Sequence, residues 1–218
     1  MIKPESLQHL TISANFAISA DGKISSSSHR PSGWTSKEDH QRLLDLRREA
    51  DAILVGRRTL ITDNMSLTVP DQDKQPLRCI ASATGALHGR ENIFLTAGGE
   101  IHLWCPNASA TLPSGVVLHR GGLVDFLNDL HQTYNVNRLH CEGGGEILRM
   151  LLEQGLLDEL HVTWAAHTLF GGAKAPTISG IPELELSTSM NFELMHFDPR
   201  PEIGEVFLSY RRVATKNQ

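Results

Sequence analysis

Two segments of the sequence share one order: a short apolar strand, a turn with consecutive glycines, and a helix with an apolar face. The first is VVLHRGGLVDFLNDL at residues 116–130, and the second is RLHCEGGGEILRMLLEQG at residues 138–155. Strands that alternate with helices in this way build sheets whose strands run parallel. The chain is therefore predicted to be an α/β protein with a largely parallel sheet.

Further elements are predicted along the rest of the chain. A helix begins at Thr35 or Ser36, since either residue would cap its first turn, and RRTLITD is a short helical turn. NFELMHF and GEVFLSYRRV, separated by the proline-marked loop DPRP, predict an antiparallel hairpin that makes the sheet mixed. No linker divides the sequence, so one domain over residues 1–218 is expected. The other predicted strands are Leu10–Ser19, Asp51–Gly56, Leu77–Ser82, Asn92–Ala97 and Ile101–Pro106.

The composition argues against several classes of protein. The net charge is -5, so a broad basic surface for nucleic acid is not expected. The cysteines Cys79, Cys105 and Cys141 form no CxxC pair, so neither a metal site nor a disulfide framework is predicted. A reducing cytoplasm suits such cysteines. No apolar run approaches the roughly 20 residues of a membrane-spanning helix.

The three glycines at Gly143–Gly145 stand directly before a predicted helix. The first turn of a helix presents free backbone N–H groups and a positive dipole end, which suit a phosphate or pyrophosphate. Gly143 and Gly145 match the dinucleotide fingerprint G-x-G-x-x-G, but Leu148 replaces its third glycine. A tight turn that packs the helix closely on its strand remains the alternative.

The segment VGRRTL also places a glycine between a strand and a helical turn. Arg57 and Arg58 supply guanidinium groups beside Thr59, and arginine binds phosphate through two parallel hydrogen bonds. A terminal phosphate, such as the 2′-phosphate of NADP, suits this combination. Taken alone, the segment is explained better as a solvated basic pair.

The segment RPSGWTS is polar except for one tryptophan before a predicted helix. Trp34 would either stack on a flat ring or cover the edge of the core. Ser32 would contact a phosphate or hydroxyl group of a ligand. Arg47, on the following helix, would reach the same cleft or remain a surface charge.

Five segments, taken in order, resemble the pyrimidine reductases of riboflavin biosynthesis, and most closely the stand-alone reductases of archaea and fungi. The resemblance covers about residues 9–210. It implies a three-layer α/β/α, dihydrofolate-reductase-like fold with a mostly parallel mixed sheet, and NADPH as the hydride donor. The segments are NFAISADGKIS, SGWTSKED, DAILVGRRTLITDNMSLTV, QPLRCIAS and HCEGGGEILRMLLEQGLLDELHVTWAAHTLFGG.

The resemblance also implies a reaction and the residues that serve it. The ribosyl group of a phosphoribosylamino-pyrimidine is reduced to a ribityl chain, as in a 5-amino-6-(5-phosphoribosylamino)uracil reductase, by an enzyme that is typically a homodimer. The implied substrate-binding residues are Ser32, Arg47, Leu67 and Glu142. The implied cofactor-binding residues are Ala17, Trp34, Gly56, Arg57, Arg58, Thr59, Asp63, Ser82, Gly143, Gly144, Gly145, Glu146, Ile147 and Leu148.

The sequence leaves the exact substrate and the proton donor open. Family members usually carry a basic residue directly after LTV, where this chain has Pro70 and then Asp71. Either Arg30 or Lys74 then binds the substrate phosphate, or the substrate differs. The alternatives are a pterin or dihydrofolate reductase and a non-catalytic NADPH-binding protein. Asp21 is a candidate proton donor, although a turn-forming role explains it better.

Overall fold

The computed structural model describes residues 3–28, 33–107, 112–181 and 189–213. Its strands are β1 (Thr11–Ser19), β2 (Ala52–Gly56), β3 (Leu77–Ala81), β4 (Ile101–Trp104), β5 (Val116–His119), β6 (Arg138–Cys141), β7 (Glu159–Ala165), β8 (Phe192–Arg200) and β9 (Glu205–Arg212). Its helices are α1 (Lys37–Arg48), α2 (Arg57–Thr62), α3 (Asn92–Leu95), α4 (Leu123–Tyr134) and α5 (Gly145–Glu153). None of the described helices is long and apolar enough to cross a bilayer.

The strands form one sheet in the order β5-β4-β3-β2-β6-β1-β7-β9-β8. The seven strands from β5 to β7 run parallel to one another. β9 is antiparallel to both of its neighbours, β7 and β8. The predicted sheet, mostly parallel and closed by a C-terminal antiparallel hairpin, is confirmed.

Two hydrophobic clusters cover the two faces of the sheet. Leu54 of β2 packs in the cluster that includes Leu148 of α5. Its neighbour Ile53 packs in the other cluster, with Leu60 of α2. Successive side chains of a strand point to opposite faces, so the sheet is the middle of three layers. Burial on both faces also explains why β2 reads as an unbroken apolar run.

The strand predicted over Asn92–Ala97 is wrong, because Asn92–Leu95 form the short helix α3. A short apolar run has no periodicity that separates a strand from a helix. The deciding contact comes from Arg78, whose Nη1 donates to the carbonyl oxygens of Ile93 at 2.6 Å and Thr96 at 3.0 Å. A buried cation therefore satisfies the carbonyl end of the helical turn.

The predicted hairpin is present, but the segment DPRP is not its loop. β8 continues through Pro199 to Arg200, and the turn lies at residues 201–204. Pro199 pairs with Val206 on β9. Because β8 is the outermost strand, a residue without a backbone N–H leaves the hydrogen bonds of the sheet interior intact.

Candidate active site

Three segments that carry predicted cofactor- or substrate-binding residues lie where parallel strands end. Gly56 ends β2, Ser82 follows β3, and Glu142 follows β6. β2 pairs with both β3 and β6, so the carboxyl ends of the three strands are neighbours. In open α/β sheets, ligands bind in the crevice outside these ends. The structure therefore brings the three segments to one edge of the sheet.

The glycine turn before α5 contacts the first turn of α2. Gly56 donates its backbone N–H to the carbonyl oxygen of Gly143 over 3.1 Å. A Cβ added at Gly143 would lie 3.7 Å from Cγ2 of Thr59, and one added at Gly144 would lie 3.6 Å from its Oγ1. The φ angles of the two glycines are 127° and 63°, where other residues are strained. The two glycine-containing motifs therefore form one surface.

The start of α5 has the features of an anion site. No side chain caps its first turn, so backbone N–H groups and the positive end of the helix dipole face the edge of the sheet. Glu146 is exposed there. The side chains of Ile147 and Leu148 are buried in the core, and their backbone N–H groups donate to the carbonyl oxygen of Gly144 over 3.0 and 3.3 Å, so these two residues offer a ligand neither a side chain nor a free N–H group.

Gly145 is required for a different reason from the two glycines before it. A Cβ at this position would approach the carbonyl oxygens of Thr177 and Ile178 to 3.1 and 3.2 Å. Close packing of α5 against this segment therefore explains the third glycine. The packing interpretation of the glycine triplet therefore applies to Gly145.

The two arginines at the start of α2 differ in their surroundings. Arg57 is half-buried and donates from Nε to the carbonyl oxygen of Ala86 over 2.5 Å. Arg58 is exposed, and no hydrogen bond or ion pair joins its side chain to a described residue. Arg58 is therefore the cation available to a ligand, whereas Arg57 fixes the loop after β3.

The other predicted cofactor positions lie at or near the same edge. Ser82 accepts hydrogen bonds at Oγ from the backbone of Gly85 at 2.9 Å and Thr84 at 3.3 Å, which shapes the loop after β3. Asp63 directly follows α2 and donates its backbone N–H to the carbonyl oxygens of Thr59 and Ile61. Ala17 lies on β1, in register with Thr163 of β7.

Arg47 and Glu142, both predicted to bind substrate, form an ion pair with each other. Nε and Nη2 of Arg47 donate to Oε1 and Oε2 of Glu142 over 2.5 and 2.6 Å. The two side chains are only 9% and 2% exposed. Nη1 of Arg47 donates to the carbonyl oxygen of Thr68 over 3.2 Å. Arg47 is therefore not a surface charge, and all its guanidinium nitrogens already have protein partners.

The loop after α2 carries the remaining predicted substrate residue. Leu67 has a φ of 56°, and its side chain is fully buried in the core. Pro70 and Asp71 are exposed on the same loop. The Lys74 side chain is 91% exposed, with Nζ 4.0 Å from Oδ1 of Asp51. Ser32 and Arg30 lie outside the described residues.

Trp34 contacts a loop that follows β7. Its ring meets that of Phe170 edge to face, with centroids 5.1 Å apart. Asp21 accepts hydrogen bonds from the backbone of Gly171 at 2.7 Å and from Oγ of Ser19 at 2.6 Å. The hydroxyl of Ser19 is the largest cause that holds the pKa of Asp21 below its usual range. An ionised, turn-forming Asp21 fits these contacts better than a proton donor does.

A layer of buried polar side chains between α1 and the sheet was missed from the sequence. Thr163 donates to Oδ1 of Asp39 over 2.5 Å, and Arg42 donates to Thr163 over 3.1 Å. His140 pairs through Nδ1 with Ser13 Oγ at 2.8 Å. The available signal was the alternation of polar residues along β1 and β7. Among the described residues, no three His, Cys, Asp or Glu side chains are grouped to hold a metal ion.

The polar layer makes the stability of the protein depend on pH. Burial, aided by the charge of Arg47, lowers the pKa of His140 to about 3 from 6.5. Between pH 6.5 and about 3, His140 is therefore protonated in the unfolded chain but stays neutral in the folded chain. As the pH is lowered from 6.5 towards 3, the free energy of unfolding is therefore expected to decrease, and His140 contributes about 1.4 kcal/mol per pH unit to this decrease.

Urea denaturation at several pH values between 4.5 and 7 measures this slope. His140→Asn, which keeps an acceptor for Ser13, is expected to reduce the slope. His40→Asn is the control, because His40 is exposed. An equal slope in the wild type and His140→Asn would contradict the assignment.

The fold is that of a dihydrofolate-reductase-like protein. The dihydrofolate reductase of Enterococcus faecalis, solved with NADP(H), superposes with a TM-score of 0.53 at 14% identity, over 94% of this chain and 97% of that one. RibD of Acinetobacter baumannii gives a TM-score of 0.80 at 19% identity, over 94% of this chain. This chain spans only 59% of that RibD chain.

The chain belongs to the RibD C-terminal domain family, whose model matches residues 10–201. It is 30% identical to 2,5-diamino-6-ribosylamino-4(3H)-pyrimidinone 5′-phosphate reductase of Archaeoglobus fulgidus, over 75% of this chain and 83% of the relative. The protein of the same name from Methanothermobacter thermautotrophicus is 31% identical, over 78% and 85%. The riboflavin biosynthesis reductase Rib7 of Saccharomyces cerevisiae has a TM-score of 0.75 at 17% identity, over 98% and 93%.

Proposed function

We propose that this protein is an NADPH-dependent reductase of a phosphoribosylamino-pyrimidine in riboflavin biosynthesis, which converts the ribosyl group to a ribityl chain. The observation that carries the proposal is the hydrogen bond from Gly56 to Gly143, which joins the two glycine-containing motifs at the sheet edge. The relatives named as reductases of a ribosylamino-pyrimidinone phosphate support the substrate class. The reaction needs a hydride donor, and a nicotinamide cofactor supplies one when bound.

The residues present fit a dinucleotide. In this proposal, the Gly143–Gly144 turn and the free backbone N–H groups of α5 bind the pyrophosphate, because neither glycine carries a Cβ to block it. Arg58 binds the 2′-phosphate, since its guanidinium group has no partner among the described residues. Trp34 and Ala17 line the nicotinamide end.

Glu142 is proposed to orient the sugar or pyrimidine of the substrate. Arg47 holds its carboxylate in one geometry from the side of α1. Each carboxylate oxygen has two lone pairs, and Arg47 uses one on each oxygen; the proposal assigns a remaining lone pair to a substrate hydroxyl or amino group. Arg47 then affects the substrate chiefly by orienting Glu142. Because Pro70 offers no cation, the substrate phosphate is bound by another residue.

Arg58→Ala is expected to raise the dissociation constant for NADPH by about tenfold or more, the value of one lost charge-assisted hydrogen bond. Binding of NADH is expected to change little, because NADH lacks the 2′-phosphate. Fluorescence titration with each nucleotide measures both constants. Arg48→Ala, which removes a partly exposed charge of α1, is the control. If Arg58→Ala weakened the binding of NADPH and NADH equally, Arg58 would not bind the 2′-phosphate.

Turnover distinguishes the proposed substrate from the alternatives. The purified protein is expected to oxidise NADPH when the phosphoribosylamino-pyrimidine is supplied. Oxidation with dihydrofolate instead would identify a pterin reductase, and tight NADPH binding without turnover of either would identify a non-catalytic binding protein. Either result would overturn the proposed activity.

The proposal includes a cytoplasmic location and a homodimer, and the C-terminal hairpin supports the homodimer. Trp164, Leu194 and Phe197 are 40%, 53% and 60% exposed, and strand pairing puts them on one face of β7, β9 and β8. Exposed apolar patches of this kind mark interaction sites. Phe197→Asp is expected to shift the mass in sedimentation equilibrium from a dimer to the 24.0 kDa monomer. His196→Asp, on the opposite face of β8, is the control and should leave the dimer intact.

A further inference from the structure

Glu205, the first residue of β9, is an acidic side chain buried completely at the N-terminal end of α1. Its side chain is 0% exposed. Oε1 accepts a hydrogen bond from the backbone N–H of Ser36 over 2.8 Å, and Oε2 accepts one from Oγ of Ser36 over 2.6 Å. Nε2 of His167 lies 3.3 Å from Oε1. Both carboxylate oxygens are therefore used to hold one residue.

That residue, Ser36, is the N-cap of α1. Its Oγ accepts a hydrogen bond from the backbone N–H of Asp39 over 3.0 Å while donating to Glu205. A negative charge beside a helix N-terminus is stabilised by the helix dipole. The hairpin thus fixes the first turn of α1 through a charge-assisted hydrogen-bond chain that begins at a fully buried carboxylate.

Trp34 lies two residues before this anchor, in the loop proposed to line the nicotinamide. Among the described residues, the aromatic ring that contacts Trp34 is that of Phe170, and the backbone N–H of Phe170 donates to Asp21. An edge-to-face ring contact is weaker than a buried charge-assisted hydrogen bond. The position of Trp34 is therefore inferred to depend mainly on the two hydrogen bonds that Ser36 donates to Glu205.

The geometry points to Glu205 as a positioning residue for the cofactor site. Glu205, which lies on the C-terminal hairpin, binds the N-terminal end of α1 and so fixes the position of Trp34. It acts through Ser36 and touches neither cofactor nor substrate. The consequence for NADPH rests on the proposed function, whereas the effect on Trp34 does not.

The hairpin contacts α1 at a second point, which supplies a matched control. Nη1 of Arg200 lies 3.3 Å from Oε2 of Glu38, and these side chains are 40% and 45% exposed. Exposed ion pairs contribute little to the stability of the folded protein. Glu38→Gln therefore removes an acid from the same turn of α1 and from the same interface, without touching the buried contact.

The test uses the full chain labelled with 5-fluorotryptophan, which reports on Trp34, Trp104 and Trp164. Loss of one ¹⁹F resonance in Trp34→Phe assigns that of Trp34. In Glu205→Gln, the Trp34 resonance is expected to shift and broaden while that of Trp104, in the core, stays in place. The dissociation constant for NADPH is expected to rise about tenfold, as for one lost charge-assisted hydrogen bond. Glu38→Gln is expected to change neither quantity.

An unchanged Trp34 resonance in folded Glu205→Gln would overturn the inference, as would a shift without weaker NADPH binding. If Glu205→Gln does not fold, His167→Ala provides the test, because it removes one of the three donors to the carboxylate. It is then expected to shift the same resonance by less. If the wild type does not bind NADPH, the proposed function fails, and the Trp34 resonance alone decides the role of Glu205.

Discussion

Arg47→Met is expected to lower the free energy of unfolding by about 3–5 kcal/mol, because the Glu142 carboxylate then stays buried without its cation. Both oxygens of Glu142 face the guanidinium group, and the carboxylate is 2% exposed. The loss also frees the carbonyl oxygen of Thr68. Urea denaturation followed by circular dichroism measures the change.

The double variant Arg47→Met with Glu142→Leu is the control for this result. It replaces the pair with apolar side chains of similar size, so stability is expected to recover while reductase activity does not. A loss below about 1 kcal/mol in Arg47→Met would have the size of an exposed ion pair and would contradict the burial described.

Gly143→Ala is expected to weaken NADPH binding by roughly ten- to a hundredfold, which corresponds to a backbone strain of about 1–3 kcal/mol. The φ of 127° lies where only glycine is relaxed. An alanine therefore rotates the turn and moves its N–H groups away from the proposed pyrophosphate position. Isothermal titration with NADPH measures the constant.

Gly115→Ala separates this local effect from strain in general. Gly115 also has a positive φ, of 78°, and a Cβ there meets nothing within 4 Å. It lies in the turn before β5 rather than in the turn before α5. Its replacement is expected to cost some stability and to leave NADPH binding unchanged. Equal weakening in both variants would refute a specific role for the glycine turn.

Much of the fold was predictable because it depends on local patterns. The apolar run of β2, the N-cap at Ser36 and the glycines before α5 are each written within a few neighbouring residues. The short run at Asn92–Leu95 was not predictable, since its helix depends on Arg78, which is distant in sequence. Local pattern decides an element only when the element is long enough to show a period.

The candidate site was predictable as a set of residues but not as a set of contacts. Arg47 and Glu142 are 95 residues apart, so nothing near either one shows that they neutralise each other. The same holds for Asp39 and Thr163, which are 124 apart. Which polar groups pair is decided by how α1 lies on the sheet, and that is a property of the whole fold.

The two ends of α1 are held by carboxylates from different parts of the chain, Glu142 after β6 and Glu205 at the start of β9. Both ends of the helix are therefore fixed in place by distant parts of the chain. In chimeras between relatives, α1 and the C-terminal hairpin are expected to form one unit of exchange, although more than 140 residues separate them. A transplant of either without the other would leave a buried acid facing a foreign helix.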